Sequence, residues 1–351
     1  MATGTLHIDL EAIAANWRAL DALSAATCET GACVKADGYG LGLTQVAQRL
    51  RDAGCRAYFV ASAAEGLELR RALGPEPRIH VFYGHMAGDT ATLQRADLVP
   101  MLTSIEQLTR HLEALPRQPF GIQLDTGMNR LGLKMAEWAA VAEIALAADP
   151  VLVMSHLSDA EDPDCPRNAA QLARFHEMTD GIDVPRSLAA TGGTLLGPDY
   201  HFDMTRPGIG LYGGRPHVRA EPVVALTLPV IACFDIAAGE GVGYNASWTA
   251  PAPTRIATVA GGYADGLLRA LQPGMEVMAG PVPCPVVGRV SMDALTVDIG
   301  HLDADPEHVT VLDAHHGVDA LADGAGTIGY EMLTALGARY LRKYRGLRPI
   351  G

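Results

Sequence analysis

Lys35 stands in Cys33-Val-Lys35-Ala-Asp-Gly-Tyr39-Gly-Leu-Gly42, at the end of a short apolar run and ahead of a loop too rich in glycine to be a helix interior. An amine drawn partly out of water is less stable in its charged form, so its pKa falls and it becomes nucleophilic towards an aldehyde. Taken alone, the same residue also reads as a surface lysine beside a turn. His156, in Met154-Ser-His156-Leu, closes another apolar run and is either a working imidazole or a satisfied core residue. Arg206, just before Pro207-Gly208, presents a guanidinium that never gives up its proton near neutrality, or simply caps a strand end.

Such groups need a frame. From Thr30 to Tyr212, β-rich runs alternate with helical stretches. The runs are Ala32–Lys35, Tyr58–Ala61, Ile79–Phe82, Leu98–Met101, Gly121–Leu124, Leu152–Ser155, Ser187–Ala190 and Ile209–Tyr212. Segments between them, such as Leu43–Ala53, Ala63–Leu73 and Ala136–Ala147, repeat apolar residues at three- and four-residue intervals. Eight strands alternating with helices predict an α/β fold, a (β/α)8 TIM-like barrel, whose chemistry sits at the C-terminal ends of the strands, where Lys35 falls. An open doubly wound sheet is the rival architecture, because alternation does not show closure. After Gly213, proline-rich stretches such as Pro281-Val-Pro-Cys-Pro285 stop helices and border short strands, among them Val223–Asp235, Arg255–Ala260 and Ala294–Asp298. Two domains are expected: the barrel over residues 1–218 and a mostly β C-terminal domain over 219–351.

Composition narrows the function. The 351 residues are 48% hydrophobic and 19% charged, with a formal net charge of −13. That balance argues against a nucleic-acid partner, which calls for clustered Lys and Arg. Asp9 and Glu11 interrupt the N-terminus where a secretory signal is uninterruptedly apolar, and the longest apolar region, Pro222 to Phe234, is well short of the ~20 residues of a membrane span. Six cysteines (Cys28, Cys33, Cys55, Cys165, Cys233 and Cys284) show no C-x-x-C pair and read as reduced thiols. A soluble cytoplasmic protein with no membrane partner is expected.

The lysine segment Val34-Lys35-Ala-Asp-Gly-Tyr39-Gly40 resembles the pyridoxal-phosphate (PLP) lysine motif of alanine racemases. In the same chain order come Asp125-Thr-Gly-Met-Asn-Arg130-Leu-Gly, Arg206-Pro-Gly-Ile-Gly-Leu-Tyr-Gly213, Val242-Gly-Tyr244-Asn-Ala-Ser-Trp-Thr-Ala250 and Gly288-Arg-Val-Ser-Met292-Asp293. Gly262-Tyr263-Ala-Asp-Gly266 and Ile328-Gly-Tyr330-Glu331 extend the resemblance almost end to end. That family joins a barrel to a β domain.

The resemblance implies PLP-dependent interconversion of L- and D-alanine, supplying D-alanine for cell-wall peptidoglycan, with PLP as cofactor and no metal. Inverting a stereocentre takes the proton from one face and returns it on the other, so two bases are expected. By resemblance they are Lys35, which also holds the cofactor covalently, and Tyr244, supplied by the second subunit of a homodimer whose active sites are shared. A phenol with an ordinary pKa near 10 needs a neighbouring cation or donor to act as a base. His156 resembles the histidine linking that tyrosine to the arginine under the cofactor ring, and Arg206 resembles that arginine. Tyr39, Thr191, Gly208, Ile209 and Tyr330 match the family's phosphate contacts, although Thr191-Gly-Gly193 also reads as a plain turn. Arg130 matches a residue near the cofactor phenolate and the substrate carboxylate, to which Met292 offers its backbone N–H. Tyr263, Arg269, Arg289 and Ile328 match an access corridor.

Two positions depart from the pattern. Gln123 stands where many members carry a carbamylated lysine that buttresses the arginine at Arg130; an amide forms no carbamate, so another arrangement or a bound anion such as chloride takes its place. Ala190 stands where the pattern usually has Asn. The alternatives are a racemase of serine or of broad specificity on the same scaffold, a PLP-dependent decarboxylase and a non-catalytic PLP carrier. Against the decarboxylase, Ser291-Met292-Asp293 offers no thiol where that class carries Cys-Asp. Against the carrier stands the second domain with its Tyr244.

Overall fold

A computed structural model describes residues 4–272 and 274–347. The chain divides into two compact units, Ile13–Ala220 and a second built from the residues up to Ala12 together with those from Glu221 onward.

In the first unit, parallel strands Ala32–Cys33, Ala57–Val60, Arg78–Val81, Val99–Leu102, Gly121–Gln123, Leu152–Met154 and Arg186–Ser187 neighbour one another in chain order. The short strand Met204–Thr205 then pairs in parallel with Glu29–Thr30. Its flanks donate from Asp203 N–H to Arg186 C=O (3.0 Å) and from Arg206 N–H to Ala189 C=O (2.8 Å), while Cys33 N–H donates to Pro207 C=O (2.9 Å). These bonds close the ring, so the barrel replaces the open-sheet alternative. Helices Leu43–Ala53 and Ala63–Leu73 fall where the periodicity places them, and the third runs Met135–Ala147.

The expected eighth strand is a correction. Ile209–Tyr212 is a 3-10 turn, and the strand is Met204–Thr205. The apolar character of Ile209, Leu211 and Tyr212 reflects full burial, with 1%, 0% and 0% exposure, and a short buried run has no periodicity to separate turn from strand. Glycines bracket it, and Gly213 takes φ +82°.

In the second unit, the sheet order is Thr254–Ala260, Ala294–Asp298, Val282–Val287, Glu276–Ala279, His308–Leu312, Val224–Ile236, Thr5–Asp9 and Leu341–Arg345, with Val224–Ile236 also pairing with Thr254–Ala260. The expected boundary at 218/219 therefore misses the N-terminal strand. Thr5–Asp9 pairs antiparallel with Val224–Ile236 and parallel with Leu341–Arg345, burying Leu6 and Ile8 in the β unit. No described helix is long and apolar enough to cross a membrane.

The barrel encloses histidines that resist protonation. His80 stacks on Phe59 with ring centroids 4.5 Å apart, and burial, then Arg78, pushes its pKa down to about 3. His85 is wholly buried, its Nδ1 3.3 Å from that of His111; burial first, then His111 and Arg110, pushes it down to about 4. In the unfolded chain such groups titrate near ~6.5, so below that pH the unfolded state binds more protons and stability is lost as pH falls towards about 4. Calorimetry should show a melting temperature falling through this window, with a shallower fall in His85→Gln; a flat profile contradicts the assignment.

Candidate active site

Lys35 leaves its strand into a backbone of unusual hand. Ala36, Asp37, Gly38 and Tyr39 have φ of 54°, 55°, 62° and 56°. For residues bearing a Cβ this left-handed form costs about 1–2 kcal/mol each, so surrounding contacts must over-determine it. Gly38 N–H donates to Val34 C=O at 2.9 Å and Gly40 N–H to Ala36 C=O at 2.7 Å. The expected glycine-rich loop is thus a tight left-handed turn. It leaves Lys35 half-buried, with Nζ 5.5 Å from the centroid of the Phe82 ring.

Tyr39, 5% exposed, stacks on Tyr212 with centroids 4.4 Å apart. The Tyr212 hydroxyl donates to Cys33 C=O at 3.0 Å, and burial holds its pKa well above the usual phenol value. Tyr212 thus joins the lysine strand to the turn Ile209–Tyr212. In the sequence Tyr212 stands only within a motif, and its spacing carries no signal of this contact. The Thr191 hydroxyl accepts the N–H groups of Gly208 (3.0 Å) and Gly210 (3.2 Å), while the Ile209 N–H has no acceptor among the described residues. A Cβ on Gly208 would lie 2.3 Å from the Tyr39 hydroxyl, so the backbone there approaches closer than any other residue type allows.

Arg206 is 3% exposed. Nη1 donates to the Ser187 hydroxyl, and Nη2 donates to Ser155 C=O at 2.6 Å. Ser155 and Ser187, at the ends of two strands, were not foreseen as supports. Nε has no partner among the described residues. Burial lowers the guanidinium to about 10, which still leaves it charged at neutral pH. His156 is pushed down to about 3 by burial, then by Arg206, Arg130 and Lys35, so it is neutral at neutral pH. No hydrogen bond joins its imidazole to Arg206 among the described residues. Ion pairs of the barrel such as Arg78–Glu29, Arg167–Asp159 and Arg186–Asp180 lie elsewhere, and no described carboxylate pairs with Lys35, Arg130 or Arg206.

Arg130 is exposed after a turn in which Asp125 Oδ1 accepts the N–H groups of Gly127 and Asn129. Gln123 is buried and donates to Leu124 C=O at 3.0 Å. Ala190 precedes the helix Thr191–Leu196, and its carbonyl accepts the Thr194 hydroxyl. A phosphorylated aldehyde with a ring acceptor fits this donor set. The Thr191, Gly208 and Ile209 cradle beside Tyr39 would suit its phosphate, and the Arg206 Nε, which has no partner among the described residues, would suit its ring acceptor.

The β unit carries Tyr244, Met292, Tyr263 and Ile328 as exposed side chains, 69%, 53%, 43% and 55% accessible, with Tyr330 half-buried. Tyr244 tops a hairpin, Gly241–Val242 paired with Trp248–Thr249, whose base packs Val242 and Trp248 with Ile256 and Val287. Tyr263 N–H donates to Ser291 C=O and Ala264 N–H to Met292 C=O, each at 3.0 Å. The Met292 N–H has no acceptor among the described residues. Arg339 binds Asp265 through Nε and Nη2, both at 2.7 Å, and Asp293 at 2.6 Å, tying the Tyr263 turn to the Met292 loop. Arg289 lies beside the Tyr244 hairpin, its N–H 3.4 Å from where a Cβ on Gly243 would stand. Arg269 opens the 3-10 turn Arg269–Leu271.

The family description "Alanine racemase, N-terminal domain" matches residues 8–216 and "Alanine racemase, C-terminal domain" matches 223–344. The alanine racemase of Dinoroseobacter shibae is 62% identical over 346 residues, 99% of each chain. That of Cereibacter sphaeroides is 61% identical over 347 residues, again 99% of each. Among solved structures, alanine racemase from Bartonella henselae with covalently bound pyridoxal phosphate superposes with a TM-score of 0.94 at 34% identity, covering 98% of this chain and 100% of that one. The biosynthetic alanine racemase of Pseudomonas aeruginosa gives a TM-score of 0.92 at 33% identity, with 98% and 100% covered. Barrel, β unit, cationic cradle and full-length similarity agree, and the chain belongs to the alanine racemase family.

Proposed function

We propose that this protein interconverts L- and D-alanine with PLP, as a cytoplasmic homodimer that supplies D-alanine for peptidoglycan. The observation that carries the reading is the cradle: an Arg206 Nε and an Ile209 N–H that have no partner among the described residues, and no described carboxylate paired with Lys35, Arg130 or Arg206. Bound PLP supplies an electron sink that acidifies the substrate Cα–H. Lys35 holds the cofactor and carries a proton at Nζ on one face of the substrate. Tyr244, from the second subunit, carries one at its hydroxyl on the other. Arg206, charged at neutral pH, would offer its Nε to the cofactor's ring acceptor without releasing a proton, which would keep the sink weak. His156, neutral through burial, adds no charge of its own to the site. Tyr39, Thr191, Gly208 and Ile209 would hold the phosphate, and Arg130 the substrate carboxylate.

Shared sites are supported by the exposure of Tyr244, Met292, Tyr263 and Ile328, large side chains left open in a single chain. A cytoplasmic setting is supported by six cysteines that are all free thiols. The test is direct. Borohydride reduction of the holoenzyme should fix the cofactor on a peptide containing Lys35, and a chiral assay should show L-alanine converted to the racemate. Labelling on Lys134 or Lys343 instead overturns the assignment.

A further inference from the structure

We propose that Glu65 is the positioning residue of the lysine turn, its carboxylate clamping the left-handed backbone after Lys35 to the end of the neighbouring barrel strand. The inference rests on the reading of Lys35 as cofactor anchor and proton carrier. Glu65 Oε1 accepts the Ala36 N–H at 2.8 Å, and Oε2 accepts the Ala61 N–H at 2.7 Å. Ala36 directly follows Lys35, and Ala61 directly follows the strand Ala57–Val60. One planar carboxylate thus sets the spacing between the backbones leaving two adjacent strands, at the point where the lysine side chain is aimed.

The clamp is itself fixed. Glu65 sits in the first turn of the helix Ala63–Leu73, with its own N–H held by the Ser62 hydroxyl at 3.3 Å. Beside it, a Cβ on Gly66 would come within 2.7 Å of Leu98 Cδ1, so the helix start lies hard against the barrel. At the far end of the turn, Asp37 Oδ1 accepts the Leu43 N–H at 2.8 Å and Tyr39 is stacked on Tyr212. Between these ends run the positive-φ residues Ala36, Asp37, Gly38 and Tyr39. A right-handed conformation is intrinsically easier for three of them, and adopting it would swing the Ala36 N–H off Glu65 and re-aim Lys35.

Glu65→Gln tests the clamp with little change in size. A carboxamide has one oxygen, so one of the two N–H groups would face an NH2 group, donor against donor. The variant should fold and load PLP, with a melting temperature within a few degrees of wild type. Its kcat should fall by about tenfold to hundredfold with KM little changed, because aim rather than binding is lost. In D2O, α-proton exchange followed by NMR should slow more for D-alanine, which faces Lys35, than for L-alanine. Adding Ala36→Gly, which adopts the left-handed region without strain, should restore part of the loss. An unchanged kcat and D-to-L exchange ratio in PLP-loaded Glu65→Gln overturns the proposal, as do equal losses for both enantiomers that Ala36→Gly does not relieve. Glu65→Asp, too short to span both N–H groups, gives the same readouts if the amide variant does not fold. Borohydride labelling of the wild type separates the two ideas: a label away from Lys35 defeats the underlying reading, whereas a label on Lys35 with a silent Glu65→Gln defeats this inference alone.

Discussion

Lys35→Ala chains should lose racemisation by about four orders of magnitude or more, since one substitution removes both the cofactor's covalent anchor and a proton carrier. Tyr244→Phe chains should be similarly inactive in net racemisation. Mixed after subunit exchange, the two inactive proteins should recover activity. In a dimer with shared sites, each hybrid contains one site built from both wild-type residues and one built from both mutant residues. Random pairing makes half the dimers hybrid with half their sites intact, so about a quarter of wild-type activity is expected. Recovery requires Tyr244 to reach the barrel of the other subunit. It is 69% exposed at the tip of a hairpin whose base, Val242 and Trp248, is anchored in the β unit, so the ring is presented outward on a fixed support. No recovery after exchange has been shown by mass spectrometry means that each chain completes its own site.

How much of this could be read from the residues depends on the range of the interactions involved. The lysine, its glycine-rich flank and the order of the matching segments are local, and they are enough to indicate barrel and cofactor. The helices Leu43–Ala53 and Ala63–Leu73 fall where their apolar spacing places them, because periodicity is local as well. Thr5–Asp9 was assigned to the barrel because nothing in its five residues says that its partners are Val224–Ile236 and Leu341–Arg345, at the other end of the chain. Ile209–Tyr212 looked like a strand because full burial erases the alternation that would separate strand from turn. The hand of the lysine turn was not legible either. Only Gly38 among its four residues favours positive φ, and the contacts that impose it come from Glu65 on another helix and Tyr212 on a distant turn. Ser155 and Ser187 escaped notice for a related reason: a serine beside a strand end is unremarkable until a buried guanidinium is found between two of them.

Tyr244→Phe should also separate the two directions of the reaction. If Tyr244 takes the proton from L-alanine and Lys35 takes it from D-alanine, the two losses are unequal at the level of single steps. Phenylalanine keeps the ring and its packing, leaves Lys35 and the Thr191, Gly208 and Ile209 cradle untouched, and removes the phenolic oxygen alone. The variant should therefore retain PLP and still exchange the α-proton of D-alanine with solvent deuterium through Lys35. Exchange from L-alanine should fall by about two to four orders of magnitude, the usual contribution of a positioned base. A tyrosine that only packs, or only steadies the cofactor, predicts something different: both enantiomers slow together and cofactor is lost more easily. Proton exchange measured by NMR on each enantiomer, with PLP occupancy followed by absorbance, distinguishes the cases. Equal losses at full occupancy would remove Tyr244 as the second base while leaving the barrel's cradle and Lys35 as they stand, because those rest on contacts made within the barrel.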